Sequence, residues 1–430
     1  MKYNNSIHMI DNIIDYLYER GSIAQITDRK KLNAVLNSQP ITLYCGFDPT
    51  ADSLHIGHLA PLLCLKRFQK AGHRPLILLG GATGLIGDPS FKDSERKLQS
   101  FNTTQKWIKK IKLQIALFID CNSNNASQAH IIDNYSWFSS MNILTFLRDI
   151  GKFFSINKMI NKDIIKKRLK NDNYGISYTE FSYNLMQSYD FAHIYKHYDA
   201  ILQIGGSDQW GNIISGIDLI KRMYKKNAYG LTVPLLTNFN NIKFGKTEKN
   251  TIWLDPEKTS PYQFYQYWIN IDDKSAYHFL KIFTDISVQD INSFKNRDHS
   301  YSQAQYILAE NMTQLVHGKR GLNIAQRISQ NLFSYNILKL TLNDFHQLIQ
   351  DGIPNIILET NTSLQEALTK SKLATSRSQA RYFIKSNAIT INAHKQSKIE
   401  YIFQDSDRIY NLYTLLKRGK KNYCLIQWNI

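Results

Sequence analysis

The chain has 430 residues, more than one ordinary hydrophobic core organises, so we expect two to three domains. Hydrophobic residues make up 43% and charged residues 20%, which excludes an intrinsically disordered chain. The net charge of +18 favours a polyanionic partner such as nucleic acid, with a general Lys and Asn bias as the alternative explanation. Four scattered cysteines, no signal-peptide pattern and no long apolar run predict a reducing cytoplasmic location without a membrane span.

Two histidines follow the first predicted strand. An apolar helical pattern near the N-terminus predicts a lead-in helix, residues 41–44 predict a strand, and a second helical pattern runs from about residue 58 to 70. Pro61 fits that helix only in its first turn, where its missing N–H costs nothing. His55 and His58 therefore lie at the helix start, three residues apart on one face, where backbone N–H groups favour an anion.

A glycine-rich loop follows the second predicted strand, at residues 75–79. The loop, residues 80–89, lacks the Gly-Lys-Ser/Thr ending of a phosphate-binding Walker loop. Its glycines allow close approach of the backbone to a ligand. Asp88 at its end is well placed to hold a ligand amine, with a turn or cap residue as the alternative.

The middle of the chain, residues 103–170, is predicted to be mostly helical. The basic run at 162–170 favours a solvated face slightly over contact with a nucleic-acid backbone. In the next helix, Tyr183, Gln187 and Asp190 fall at i, i+4 and i+7 and share one face. This polar stripe indicates either a polar ligand or a hydrogen-bonded helix–helix interface.

A third strand is predicted at residues 200–204, followed by another glycine turn that leads into a helix. Asp208 in this turn is typical of a carboxylate that binds a ribose hydroxyl. Three units of strand, glycine turn and helix predict an α/β fold with a doubly wound, Rossmann-like parallel sheet. In such a sheet, ligands bind at the carboxyl ends of the strands.

A short polar loop carries Lys243, Lys246 and Thr247 beside the flexible Gly245. Two ammonium groups and a hydroxyl suit a polyphosphate whose charge shifts during reaction. Taken by itself, this pattern favours an ordinary exposed loop.

The last third of the chain begins with an aromatic-rich helical pattern at residues 261–335, and residues 336–362 are predicted to connect it onward. Residues 361–430 hold twelve Lys and Arg against four Asp and Glu, a net charge of +8. Ser376 begins a capping-box pattern, so we expect a helix to start there, before a strand at 388–392. That helix carries a basic stripe, which indicates a local nucleic-acid surface: Arg377, Arg381 and Lys385.

Together these stretches resemble the bacterial tyrosyl-tRNA synthetases, which are class I aminoacyl-tRNA synthetases. Residues 55–58 are the HIGH signature letter for letter, and residues 243–247 are similar to the KMSKS loop in its KFGKT form. Further blocks that resemble the family are residues 44–50, 80–89, 179–190 and 205–212. The resemblance implies the following domains: a catalytic domain at 1–235 with a helical insertion at about 120–190, the signature loop and connection at 236–260, a helical anticodon-side domain at 261–335, a linker at 336–362, and a small α+β RNA-binding domain of ribosomal-protein type at 363–430.

The resemblance also implies roles for individual residues. Tyr44 and Asp190 would bind the tyrosine hydroxyl. The ammonium contacts would be Asp88, Tyr183 and Gln187, with Gln203 and Gln209 near the carboxylate. Adenosine and ribose would contact Cys45, Gly46, Asp48, His58, Gly206 and Asp208. The departing pyrophosphate would be stabilised by Thr50, His55, Lys243, Lys246 and Thr247.

The implied reaction activates tyrosine with ATP and Mg²⁺ and then transfers tyrosine to tRNA(Tyr). The resemblance alone implies a homodimer, and we expect no protein-bound metal or organic cofactor. Three alternatives stay open: a tryptophanyl-tRNA synthetase on the same fold, a non-catalytic RNA-binding paralogue, and a zinc protein that uses His55 and His58. The last lacks further ligands at metal spacing in the sequence.

Overall fold

A computed structural model describes residues 12–90, 98–169, 175–235, 251–297, 303–332, 334, 336–419 and 422–429. The chain divides into two compact units. The first comprises Met1–Asp255 with Ile271–Ala304, and the second comprises Pro256–Asn270 with Gln305–Ile430. The helical segment predicted at 261–335 is thus divided between the two units.

The strands are β1 (Gln25–Ile26), β2 (Thr42–Phe47), β3 (Arg74–Leu79), β4 (His130–Asp133), β5 (Ala200–Gly206), β6 (Tyr229–Val233), β7 (Asn355–Glu359), β8 (Ile389–Ile391), β9 (His394–Lys395), β10 (Tyr413–Arg418) and β11 (Asn422–Asn429). The helices are α1 (Ile13–Glu19), α2 (Arg29–Ser38), α3 (Leu59–Lys70), α4 (Thr83–Ile86), α5 (Phe101–Ala116), α6 (Tyr135–Phe138), α7 (Ile143–Thr145), α8 (Ile156–Ile160), α9 (Asp163–Leu169), α10 (Tyr178–Tyr198), α11 (Trp210–Tyr224), α12 (Pro261–Ile269), α13 (Asp273–Phe283), α14 (Val288–Arg297), α15 (Gln303–Asn331), α16 (Leu342–Gln350), α17 (Leu364–Lys370) and α18 (Arg377–Lys385).

The first unit is built on a six-stranded sheet with the order β1-β6-β5-β2-β3-β4. The five strands from β6 to β4 are parallel, and only the two-residue β1 pairs antiparallel, at the edge. Strands β2 and β3 are apolar and mostly buried because helices such as α3 cover the sheet. The order changes direction between β2 and β5, so the carboxyl ends of these two strands form the switch point.

The doubly wound parallel sheet is confirmed. α3 starts one residue after His58 and holds Pro61 in its first turn, as predicted. The interpretation of residues 103–170 as mostly helical was incomplete, because β4 lies within this segment and extends the sheet beside β3. β4 is only four residues long and none of them is fully buried, so it has no apolar run to reveal it.

Two buried arginines attach α13 to the first unit. Arg20 donates to the backbone carbonyls of Lys281, Thr284 and Ile286, at 2.6–2.8 Å. Arg67 donates to Ile282 O at 2.7 Å and shares Thr284 O at 3.2 Å. The last carbonyls of a helix have no partners within the helix and carry its negative dipole, so guanidinium groups satisfy them well. These hydrogen bonds join residues 281–286 to the end of α1 and to α3 within the first unit.

The second unit joins helices to a five-stranded sheet with the order β7-β11-β10-β8-β9. Ser376 caps α18 as predicted, and Ala380 and Ile384 are fully buried. Residues 336–362, which we interpreted as a linker, are folded: they contain α16 and β7, and β7 pairs in parallel with β11. Phe345 of α16 packs on Tyr413 of β10, with ring centroids 5.1 Å apart.

No helix in the described ranges is long and apolar enough to cross a membrane.

Candidate active site

Two unpaired polar atoms lie at the switch point of the sheet. Tyr44 on β2 is opposite Gln203 on β5 in the parallel ladder, and both side chains are buried. Neither Tyr44 Oη nor Gln203 Oε1 has a hydrogen-bond partner among the described residues. Because buried polar atoms in proteins are nearly always hydrogen-bonded, two unpaired ones at this position indicate a polar ligand.

Asp190 on α10 is held by two donors and is 1% exposed. Asn134 Nδ2 donates to Asp190 Oδ2 at 3.0 Å, and Trp137 Nε1 donates to Oδ1 at 2.9 Å. Burial raises the pKa of Asp190 well above its ordinary value, and the two hydrogen bonds oppose this shift. Burial and then the Asp190 charge raise the pKa of Tyr44, so its phenol stays protonated. Together Tyr44 and Asp190 offer the groups needed to bind a hydroxyl.

Asp48 connects the end of β2 to two other elements. Its Oδ1 accepts a hydrogen bond from Thr83 Oγ1 at 2.7 Å, and its Oδ2 accepts one from Tyr183 Oη at 2.6 Å. A Cβ on Gly80 would lie 1.9 Å from Asp48 Oδ1, so only glycine permits this approach. The resemblance assigned Tyr183 to the substrate ammonium and Asp48 to adenosine and ribose. In this structure Tyr183 donates a hydrogen bond to Asp48.

A chain of side-chain amides ends on Asp88. Gln209 Nε2 donates to Asp88 Oδ2 at 2.8 Å, and Asp88 Oδ1 caps the turn by accepting from Ser90 N at 2.9 Å. Gln187 Nε2 donates to Gln209 Oε1 at 3.2 Å, and Asn212 Nδ2 donates to both Gln187 Oε1 and Gln209 Oε1. The polar stripe on α10 therefore meets the turn after β5 through hydrogen bonds between side-chain amides.

His55 caps a 3₁₀ turn, Ile56–His58, and His58 is the last residue of this turn before α3 begins. His55 Nδ1 accepts a hydrogen bond from Gly57 N at 3.0 Å, and His58 Nδ1 accepts one from His55 N at 3.1 Å. Each neutral imidazole must then carry its proton on Nε2. The rings lie 4.0 Å apart, so the motif presents two neighbouring N–H donors, which suits a phosphate.

The segment after residue 250 runs beside this motif. Backbone hydrogen bonds of 2.8 and 3.1 Å join residues 54–56 to residues 252–254, around an isolated β-bridge between His55 and Trp253. The ring centroids of His55 and Trp253 are 6.1 Å apart. Lys243, Lys246 and Thr247 lie outside the described residues, and their assignment to the reaction remains a prediction.

The other predicted ATP contacts lie at the ends of β2 and β5. Cys45 is buried on β2, Gly46 is exposed on the same strand, and Thr50 is exposed after the strand ends. A Cβ on Gly206 would lie 2.6 Å from Asp208 Oδ1, so a larger residue there would require the Asp208 carboxylate to shift. In the second unit, the predicted RNA-contacting side chains are all exposed on α18: Arg377, Arg381 and Lys385.

Comparison with known proteins identifies the family. A model of class I tRNA synthetases for tryptophan and tyrosine matches residues 36–334, and a model of a tyrosine–tRNA ligase C-terminal domain matches residues 344–426. The chain is 66% identical over 420 residues to the tyrosine–tRNA ligase of Blochmanniella pennsylvanica, covering 97% of this chain and 98% of that one. The chain belongs to the class I tyrosine–tRNA ligase family.

Other members of this ligase family support the same assignment. The ligase of Sodalis glossinidius is 57% identical, over 97% of this chain and 99% of its own. A truncated mitochondrial tyrosyl-tRNA synthetase from Aspergillus nidulans has a TM-score of 0.67 at 28% identity, over 75% of this chain and 94% of that one. A tryptophanyl-tRNA synthetase from Encephalitozoon cuniculi, at 16% identity, shares the fold alone. The predictions of family, fold and tyrosine–tRNA ligase activity are confirmed.

Sequence reasoning missed three residues of this ligase site: Asn134, Trp137 and Asn212. Asn134 and Trp137 hold Asp190 but stand more than 50 residues before it, so no local spacing connects them. Asn212 lies three residues after Gln209, a helical spacing that would have placed both amides on one face.

The zinc alternative gains no support. Within the described ranges there is no group of three or more His, Cys, Asp or Glu residues placed to hold a metal ion. Both histidines of the signature also use Nδ1 as an acceptor from the backbone.

Proposed function

We propose that the switch-point site binds tyrosine by its two ends, with the phenol between Tyr44 and Asp190. The observation that carries this proposal is the buried Tyr44 Oη, which has no hydrogen-bond partner among the described residues. A substrate hydroxyl donates to Asp190 and accepts from Tyr44, which satisfies both groups. The ammonium group lies toward Asp88 and Gln187, and Gln203 and Gln209 are near the carboxylate.

ATP lies across the ends of β2 and β5. The ribose and adenine contact the turns that hold Asp48 and Asp208, together with Cys45, Gly46 and Gly206. His55 donates from Nε2 to phosphate oxygens, and Thr50 reaches the departing pyrophosphate. We assign His58, which the resemblance placed at adenosine and ribose, to the phosphates as well, because its ring lies beside that of His55. Mg²⁺ enters as part of the Mg–ATP substrate.

The first chemical step is an in-line displacement. A tyrosine carboxylate oxygen forms a bond to the α-phosphorus while the bond from that phosphorus to the oxygen that bridges the α- and β-phosphates breaks. Pyrophosphate leaves with the electron pair, and tyrosyl-adenylate remains. No protein nucleophile is required, so the side chains act by positioning and by stabilising charge. The 3′-terminal ribose hydroxyl of tRNA(Tyr) then displaces AMP.

The signature loop provides the test of this chemistry. Lys246→Ala removes a cation that the proposal places on the pyrophosphate, so we expect tyrosine-dependent ATP–pyrophosphate exchange to fall about 10²-fold. The tyrosine dissociation constant should stay within twofold, because the loop acts on ATP. Lys226→Ala, an exposed lysine after α11, is the control and should leave exchange unchanged. An unchanged exchange rate in Lys246→Ala would show that the loop assignment is wrong.

The basic face of α18 is proposed to bind tRNA(Tyr). Arg377, Arg381 and Lys385 are exposed one helical turn apart, and residues 361–430 carry a net charge of +8. Arg381 Nε also bonds Gln365 Oε1 at 3.0 Å, which orients the guanidinium. Filter binding with Arg381→Glu tests this face, and the proposal fails if tRNA affinity is unchanged.

We also propose a cytoplasmic homodimer. The helical insertion exposes large apolar side chains, with Ile143 at 64%, Leu144 at 72% and Ile156 at 57% exposure. Exposed apolar groups concentrated on one segment are typical of a protein interface. Sedimentation equilibrium measures the oligomeric state directly. A monomer at micromolar concentration would contradict the proposed homodimer. The four cysteines are free thiols, which suits a reducing compartment.

A further inference from the structure

Lys162, between α8 and α9, makes three hydrogen bonds to neutral acceptors. Its Nζ donates to Asn184 Oδ1 at 2.9 Å, to Ser215 Oγ at 2.7 Å and to Gly211 O at 3.3 Å. No ion pair of Lys162 occurs within the described part of the chain. Burial lowers the pKa of Lys162 to about 8, so the three-donor ammonium form still predominates at neutral pH. A half-buried cation that meets only neutral acceptors loses hydration without gaining a counter-charge, and this costs free energy of folding. The cost indicates that Lys162 has a role beyond packing.

The hydrogen bonds continue from Lys162 to Asp88 through amides only. Asn184 Oδ1 accepts the hydrogen bond from Lys162, so its Nδ2 faces Asn212 and donates to Asn212 Oδ1 at 2.7 Å. Asn212 Nδ2 then donates to the side-chain oxygens of Gln187 and Gln209, at 2.9 and 3.1 Å. Gln209 Nε2 finally donates to Asp88 Oδ2.

The two ends of this chain allow only one direction of donation. An ammonium group can only donate, and an ionised carboxylate can only accept. Each amide between them has one donor end and one acceptor end, so fixing the first amide fixes the rest. If Asn184 were reversed, the reversal would pass along the chain and Gln209 would present Oε1 to Asp88 Oδ2. Two acceptors at 2.8 Å repel each other, and Asp88 would have to move.

We propose that Lys162 is a positioning residue for the tyrosine ammonium: it sets the direction of the amide chain that holds Asp88. This inference rests on the proposed function, in which Asp88 binds that ammonium. Lys162 itself contacts no substrate. The alternative is that Lys162 only fastens the insertion to α10 and α11.

Lys162→Met tests the donor. We expect the tyrosine dissociation constant from equilibrium dialysis to rise about tenfold, equivalent to the loss of one hydrogen bond from a charged group. The KM for ATP in pyrophosphate exchange should stay within twofold. Lys158→Met, an exposed lysine on α8, is the matched control and should change neither constant. Equal rises in both constants would support a merely structural role and overturn the inference.

Asn184→Asp tests the direction of donation without removing the lysine. The change is isosteric, keeps the acceptor for Lys162 and replaces the donor that faces Asn212 by a second acceptor. The new ion pair with Lys162 protects folding, yet the reversed chain should raise the tyrosine dissociation constant about tenfold. Simple attraction between the added negative charge and the tyrosine ammonium would instead lower the tyrosine dissociation constant. An unchanged or lower dissociation constant therefore overturns the inference.

Asp88→Asn separates this inference from the proposal on which it rests. If Asp88→Asn weakens tyrosine binding and the two chain variants do not, the amide chain has no positioning role and the ammonium site stands. If Asp88→Asn leaves tyrosine binding unchanged, the ammonium site is wrong and the inference falls with it.

Discussion

Asp190→Asn is expected to reduce kcat/KM for tyrosine in ATP–pyrophosphate exchange by about 10³-fold. Asn134 and Trp137 both donate to the Asp190 carboxylate, one to each oxygen. An asparagine has one acceptor and one donor end, so one of these buried donors would face an NH₂ group. The substrate hydroxyl also loses one of its carboxyl acceptor oxygens, and the two losses together amount to about 4 kcal/mol.

In Asp190→Asn, the ratio of kcat/KM for tyrosine to kcat/KM for phenylalanine should also fall. A site built around a hydroxyl rejects an analogue without one because its buried polar groups stay unpaired, a rule for which tyrosine-specific ligases are themselves the standard example. Asp199→Asn, in an exposed left-handed cap position at the end of the same helix, is the matched control and should leave both activities unchanged. A tyrosine KM that did not move in Asp190→Asn would disprove the phenol assignment.

The parts of the site that the sequence predicted are those whose residues are close together along the chain. Tyr183, Gln187 and Asp190 share a face because one helix carries them, and helical spacing is visible in sequence. The glycine turns at the ends of β3 and β5 were visible too. At Gly80 and Gly206, neighbouring side chains lie so close to the backbone that a larger residue would require them to shift.

What stayed hidden depends on contacts between distant segments. Trp137 meets Asp190 only after β4 has joined the sheet, and β4 is too short and too exposed to be recognised by its apolar pattern. Tyr183 bonds Asp48, 135 residues away, although the resemblance gave the two residues different substrates. Such pairings follow from topology, which single-sequence periodicity does not encode.

The interpretation of residues 336–362 as a linker missed their folding for the same reason. β7 holds the apolar run of Ile356, Ile357 and Leu358, but only Leu358 is buried. Its partner β11 follows more than 60 residues later, and parallel strands are joined by a long crossover connection, so no local pattern links the two strands.

Arg168→Met is expected to cost about 3–5 kcal/mol of folding free energy in the first unit. Arg168 on α9 and Glu180 in the first turn of α10 form an ion pair at 2.9 Å, and their side chains are only 4% and 1% exposed. Arg168 also donates to Gly175 O at 2.8 Å. Removing the arginine leaves the Glu180 carboxylate buried without its counter-charge. Glu180 lies in the first turn of α10, and the same helix carries the proposed substrate residues Gln187 and Asp190. Disturbing the start of this helix should therefore lower the affinity for tyrosine as well.

The exposed pair of Arg148 and Asp149 provides the control for this prediction. It has a similar distance of 2.8 Å, but its side chains are 78% and 41% exposed. Arg148→Met should therefore cost less than about 1 kcal/mol, because water and salt screen the pair. Calorimetry of Arg168→Met, Glu180→Leu and the double variant completes the comparison. The double variant should recover most of the loss, because apolar groups then replace both buried charges. If Arg168→Met and Arg148→Met shift unfolding equally, the buried pair does not hold α9 against α10.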